Sequence, residues 1–175
     1  MTTRIGFLRA VNVGRRTVKM PRVVELVTDL GHRDVWTYIN SGNVVFDGTG
    51  SRAEIERAIE QALEADLGFE VTTFVRSAAE LRRALAVDPF TMSAGDTYFI
   101  TFLKRAPSAA VARQLHAASN DFDTLVVEGR EVHWHMRGKS TDTTLKKKTW
   151  NLVGELGSTS RNITMLRKLM AKIDA

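Results

Sequence analysis

"DVWTYINSGNVVF" (residues 34–46) is the stretch on which the fold turns. Two β-rich runs, 34–39 and 43–46, flank "NSG", and that composition and spacing predict a hairpin. Upstream, Pro21 suits a first helical position, and Val23, Val24, Leu26, Val27 and Leu30 fill one helical face until Gly31 stops it. Ahead of that helix, "RIGFLR" (4–9) reads as a strand. Downstream, "SRAE" (51–54) is a capping box, in which Ser51 and Glu54 each satisfy the other's backbone N–H. Ile55, Ala58, Ile59, Ala62 and Leu63 continue at helical spacing, and "EVTTFV" (70–75) returns as a strand. The order β-α-β-β-α-β is the split βαβ, or ferredoxin-like, arrangement.

The second half repeats much of this. "SAAE" (77–80) is another capping box opening a short helix that ends near Asp88-Pro89. "TYFITFL" (97–103) is a strand, and a helix follows Pro107-Ser108. "DTLVVEGREVHWHM" (123–136) is two strands joined at Gly129-Arg130, where Gly in the first position suits a type II′ turn. Helices around 146–156 and 163–173 close the chain, so this half is expected to end in a helix in place of a clear strand. The fold class is therefore α+β, with two tandem ferredoxin-like subdomains and mainly antiparallel sheets. The expected division is 1–76, a connecting helix and loop over 77–96, and 97–175 packed closely on the first.

That topology gathers residues that are far apart in sequence. With strand three antiparallel between strands one and two, the loop leaving the first strand and the hairpin lie at one end of the sheet. "RAVNVGRRTVK" (9–19) then sits beside "NSGN" (40–43). Arg9, Arg15, Arg16 and Lys19 would supply charge there, while Asn12, Gly14, Ser41, Gly42 and Asn43 would supply backbone and side-chain donors. A helix N-terminus points to the same rim, and free N–H groups favour anions. Turn chemistry alone also accounts for Asn-Val-Gly and for "NSGN", and no phosphate-loop signature is present.

Charge supports the rim. The chain of 175 residues carries a net +5, but residues 1–33 hold seven Lys/Arg against two Asp/Glu and residues 129–175 hold ten against four. The middle, 34–128, holds eight against fourteen. If folding brings the two chain ends together, their cations make a basic face on an otherwise acidic body, and such faces steer anions. With 43% apolar residues the chain can bury a core, and no apolar run reaches the ~18 residues of a membrane span. "MTTRIGFLRA" lacks a secretory apolar segment, and the absence of cysteine excludes disulfides and thiolate chemistry, so a cytoplasmic protein is expected.

These stretches also carry a resemblance. "FLRAVNVGRRTVKM" followed by "LGHRDVWTYINSGNVVF" resembles the opening signature of the domain of unknown function 1697 family, and "LGSTSRNITMLRKL" (156–169) is similar to its second signature. Leu8, Arg9, Asn12, Val13, Gly14, Lys19 and Met20 match the first motif, Thr37, Tyr38, Ser41, Gly42 and Asn43 the next, and Thr159, Arg161 and Asn162 the last. Arg15 stands where a second glycine is common, and Ile163, Thr164 and Met165 replace an aromatic-Asn-Thr step. The resemblance implies small bacterial α+β proteins of tandem ferredoxin-like form without an assigned activity.

Other candidates carry less. Asn162 or Thr164 can cap the last helix, and Arg161 either anchors inward or joins the ligand-binding set with Asn162. "LKKKTW" (145–150) puts three lysines at a helix start, where the dipole disfavours them unless an anion or acid offsets it. His133 and His135 share a strand face without a third ligand, so no metal and no cofactor are expected. Asn43 and Val45 stand where an RNA-recognition strand would carry aromatics. The reading is an anion-binding protein, with nucleic-acid backbone as the simplest partner and no membrane partner. The alternatives are a small-molecule enzyme on a nucleotide or phosphorylated metabolite, with Asp47 the nearest base in sequence, or a protein-interaction module.

Overall fold

Strand β2 (Arg33–Thr37) and strand β3 (Asn43–Gly48) pair antiparallel, with Trp36 opposite Val45 and Thr37 opposite Val44. The structure, a computed structural model, describes residues 1–40 and 42–175. The hairpin connection is longer than "NSG" because β2 stops at Thr37, although the Tyr38 N–H still donates to the Asn43 carbonyl at 2.9 Å. A register shift between Arg33 and Trp36, with Asp34 at φ 50°, kinks β2 at its start.

Strand β1 (Thr2–Leu8) pairs with β3 on one side and with β4 (Thr73–Ser77) on the other, giving a four-stranded antiparallel sheet of order β2-β3-β1-β4. The helices between these strands are α1 (Met20–Asp29) and α2 (Arg52–Leu67). Helix α1 has Pro in its first turn, and α2 carries the complete Ser51–Glu54 capping box and ends at Gly68 in the left-handed region. Val23 and Val27 of α1 and Ile55, Ile59 and Leu63 of α2 join Leu8, Val44, Phe46 and Val75 in one core. Strand β4 begins at Thr73, three residues after the expected Glu70, where the Glu60 carboxylate accepts from the Thr73 N–H at 2.9 Å. Ile5, Phe7, Val45 and Phe74, on the other face of the sheet, are buried as well, so neither face of the central strands is an open platform.

Helix α3 (Ala78–Val87) starts on the second capping box, with Ser77 N–H donating to Glu80 at 2.7 Å and Glu80 N–H to Ser77 Oγ at 3.1 Å. Within it the chain passes from one compact unit, Met1–Arg82, to a second, Arg83–Ala175.

The second unit holds β5 (Thr97–Leu103), α4 (Ala109–Ala117), β6 (Asp123–Glu128), β7 (Glu131–Met136), α5 (Lys147–Glu155), β8 (Ser158–Asn162) and α6 (Ile163–Ile173). Its sheet is again antiparallel, of order β6-β7-β5-β8. Ser108 caps α4 by accepting from Val111 N–H at 3.2 Å. Gly129 takes φ 57°, as the two-residue β6–β7 turn requires. The expectation of no strand before the final helix is corrected by β8, whose inward residues are Thr159 and Arg161. Apolar alternation cannot reveal such a strand. At the end of β5, Leu103 N–H donates to the Arg130 carbonyl at 2.9 Å and Lys104 N–H to the Gly157 carbonyl at 3.2 Å.

The molecule is thus α+β, with two four-stranded antiparallel sheets and six α-helices among the described residues. No described helix is long and apolar enough to cross a membrane.

Candidate functional site

The two turns read as neighbours do meet. Leu8 N–H, at the end of β1, donates to the Gly42 carbonyl at 2.8 Å, and Arg9 N–H donates to the Thr72 carbonyl at 2.9 Å. Asn12 ties the assembly from the middle of the β1–α1 connection. Its Nδ2 donates to the Asn40 carbonyl and its Oδ1 accepts from Val18 N–H, both at 2.8 Å. Val11 and Val18 are buried and belong to the core, so residues 9–19 form an excursion pinned at both ends and at its centre.

Close approach requires glycine at residue 42. A Cβ there would stand 2.6 Å from Val11 Cγ2 and 2.9 Å from Leu8 Cβ, and its φ of 82° lies in the left-handed region. Gly14 also takes positive φ, 61°, with open space around it. Arg15 is outside that region, so a cation in place of the family's common glycine does not strain the turn. Three other residues at this rim, Ala10 (φ 54°), Asn12 (φ 56°) and Ile39 (φ 53°), hold positive φ without being glycine. Asn tolerates it; Ala and especially a β-branched Ile do so at a cost.

The pinned loop turns its charges outward. Arg9, Arg15, Arg16 and Lys19 are exposed, and among the described residues none of them makes an ion pair. Arg16 lies over the Phe69 ring at 5.3 Å, a cation–π contact that orders the side chain and leaves its charge in place. Arg22, from the same basic block, behaves differently: Asp66 at 2.6 Å and Glu25 at 2.7 Å raise its pKa and offset its charge. Two large apolar side chains, Val13 at 63% and Ile39 at 50% exposure, stand in the same segments as the free cations.

Each expected residue can now be placed. Arg9, Asn12, Gly14, Arg15, Arg16 and Lys19 share the excursion, and Gly42 touches it. Asn43 is fully buried, and its Nδ2 donates to the Tyr38 carbonyl at 3.0 Å, so it shapes the hairpin from inside. Ser41 lies outside the described residues. Arg161 and Asn162 belong to the second unit. Arg161, at 8% exposure, donates to Thr159 Oγ1 at 2.8 Å and to the Ser160 carbonyl at 3.0 Å, and burial pushes its guanidinium down to about 10. Asn162 caps α6, accepting from Thr164 N–H at 2.8 Å.

Asp47, the base considered for an enzyme, is not at this rim. It faces Thr3, whose hydroxyl donates to it at 2.7 Å, four residues along β3 from Asn43. That is about 13 Å at the usual rise of a strand. His32, packed on Phe46 at 4.6 Å and beside Gly48, is at that far end too. In the second unit, His133 contacts the Tyr98 hydroxyl and His135 the Asp96 carboxylate at 2.8 Å. What the sequence reading missed is the third wall, Phe69 to Thr72. The signal was available, because β4 runs antiparallel to β1 and must begin where β1 ends.

Residues 1–133 match the family described as "Protein of unknown function (DUF1697)". The chain belongs to that family. The rim falls wholly within the DUF1697 match, whereas the Thr-x-Arg-Asn step at 159–162 lies beyond it. A solved structure, "conserved bacterial protein SP0830 from Streptococcus pneumoniae", is similar over 100% of this chain and 99% of that one, with a TM-score of 0.74 and 18% identity. At that identity the likeness is one of fold. No curated protein matches the chain.

Proposed function

We propose that this is a cytoplasmic protein of two tandem ferredoxin-like subdomains, spanning about 1–76 and 97–175, that binds a phosphate-bearing ligand at the rim of the first. The preferred partner is nucleic-acid backbone, which needs charge and placement but no dedicated chemistry. One observation carries the reading: a loop held by Asn12, Val11 and Val18 displays Arg9, Arg15, Arg16 and Lys19 with no described carboxylate to neutralise them. A merely solvated basic surface gives no reason for the left-handed strain at Ala10 and Ile39.

Four cations set the scale. If all four reach phosphates on a single strand, log affinity falls against log salt with a slope no steeper than about −3, at roughly 0.7 per contact. Fluorescence anisotropy of a labelled oligonucleotide across a salt series measures it, for the parent protein and for Arg15→Ala/Arg16→Ala. The double variant should bind more weakly, with its slope shallower by about 1.4. Undetectable binding at low salt, or an unaltered slope in the variant, rejects the reading.

Exposed Val13 and Ile39 favour one second reading, an acidic peptide docking with apolar contacts among its charges. It predicts weak oligonucleotide binding and saturable binding of an acidic peptide lost on Val13→Ser. The small-molecule enzyme loses support, because Asp47 is remote from the cations.

A further inference from the structure

Helix α5 begins in an electrostatically adverse way. Lys146, at its N-cap, and Lys147 and Lys148 in its first turn are all exposed, and none pairs with an acid among the described residues. The N-cap side chain accepts no hydrogen bond from the helix and the first turn contains no acidic residue. Each cation at that end opposes the helix dipole.

A second observation lies beside it. A cavity of about 620 Å³ opens there, lined by Gln114 of α4, Leu145, Lys146, Lys148, Thr149 and Leu152 among others. Thr149 is only 3% exposed, and its hydroxyl makes no hydrogen bond to any described residue. That hydroxyl lines the opening, where it is placed to hydrogen-bond a molecule that enters. The cavity edge is built firmly. The buried Asp123 carboxylate accepts from Trp134 Nε1 at 2.8 Å, Thr143 Oγ1 at 2.8 Å, Thr144 N–H at 2.9 Å and Thr144 Oγ1 at 3.0 Å. That clamp fixes the segment leading into Leu145 and the lysines. On α5 itself, Trp150 packs edge-on against Trp134, with ring centroids 4.8 Å apart.

We propose that this cavity binds a small organic anion. Its phosphate or carboxylate oxygens meet the first turn of α5, between Lys146 and Lys148, and accept a hydrogen bond from Thr149. Its apolar part lies against Leu145 and Leu152. The lining fits such a molecule better than an inorganic ion, because apolar side chains line the same space as the cations. The site is contained in the second unit and does not depend on the rim reading.

Amide NMR titration at fixed ionic strength tests it, with phenyl phosphate, inorganic phosphate and benzyl alcohol as probes. Phenyl phosphate should saturate, bind about tenfold or more tightly than either other probe, and shift amides of 146–152. Lys146→Ala/Lys148→Ala should weaken phenyl phosphate by about tenfold. Thr149→Val, which keeps shape and removes the hydroxyl, should weaken it, and Thr149→Ser should restore it. Equal affinity for phenyl phosphate and either control overturns the proposal, as do shifts centred elsewhere or no saturation. Unchanged affinity in the lysine double variant, which alters exposed side chains only, overturns it even if the Thr149 variants do not fold.

Discussion

Asn12→Ala tests the device on which the rim depends. The substitution removes two hydrogen bonds of 2.8 Å, one to the Asn40 carbonyl and one from Val18 N–H. Each contributes about 0.5–1.5 kcal/mol net. It also places Ala at φ 56°, where a residue with an ordinary Cβ is disfavoured by about 1–2 kcal/mol. The expected loss is about 2–4 kcal/mol, bounded above by what the excursion itself contributes, since the loop can detach before the sheet unfolds. Asn12→Gly separates the two causes. It loses the same bonds without the backbone penalty, so it should be the milder variant by about 1 kcal/mol. Urea denaturation gives the cost, and hydrogen exchange at the Val18 amide, whose acceptor is Asn12, reports the local event. Because Asn12 is neutral, either variant should weaken oligonucleotide binding without changing its salt slope. A cost below about 0.5 kcal/mol with Val18 protection intact, or Ala no worse than Gly, would show that Asn12 does not hold the loop.

Ile39→Asn should stabilise the protein by about 1 kcal/mol in urea, by placing a tolerant residue at φ 53°, while weakening partner binding through loss of an exposed apolar contact. Gly42→Ala should do the opposite to stability, costing about 2–4 kcal/mol from the clash with Val11 and Leu8 together with left-handed strain, read as a lower urea midpoint. His133 gives a pH dependence. It is fully buried, and burial pushes its imidazole from 6.5 down to about 4, so the unfolded chain takes up the proton first. Stability is complete above pH 6.5 and falls by about 3 kcal/mol on acidification to pH 4. Denaturation midpoints should show that fall flattened in His133→Gln; an equal fall in both proteins would assign it to other groups.

Much of the fold could be read from local chemistry. Ser51 with Glu54, Ser77 with Glu80, and Ser108 mark helix starts because a side-chain oxygen three residues before a free N–H is a short-range interaction, complete within the segment. Gly129 announced its turn for the same reason. Strand β8 did not, since its inward residues are Thr159 and Arg161 and its pairing with β5 is what makes it a strand. The rim was legible as a place, because topology alone brings residues 9–19 to the hairpin. Its electrostatics were not. Arg22 and Arg16 look alike in sequence, yet Arg22 meets Asp66 from the far end of α2, while Arg16 meets an aromatic ring and no acid. Which carboxylates reach which cations is a tertiary fact.

The two units supply their own comparison. At the end of β1, Leu8 and Arg9 donate to Gly42 and Thr72; at the end of β5, Leu103 and Lys104 donate to Arg130 and Gly157. The bonds are the same pair in each unit, from the end of the central strand to the hairpin on one side and to the approach of the last strand on the other. From that common point the second unit reaches its helix in residues 104–108, within the usual two to six residues or so of a short βα connection. The first unit takes residues 9–19 to do the same. Connection therefore does not explain the extra length, and ordering it opposes folding at about 1–2 kcal/mol of backbone entropy per residue. Val11, Val18 and Asn12 offset part of that, and all three act to hold the loop in place. An insertion that is pinned, strained and charged outward at the same point where its counterpart is short supports the proposed ligand surface. Those properties tie the proposed function to the first unit.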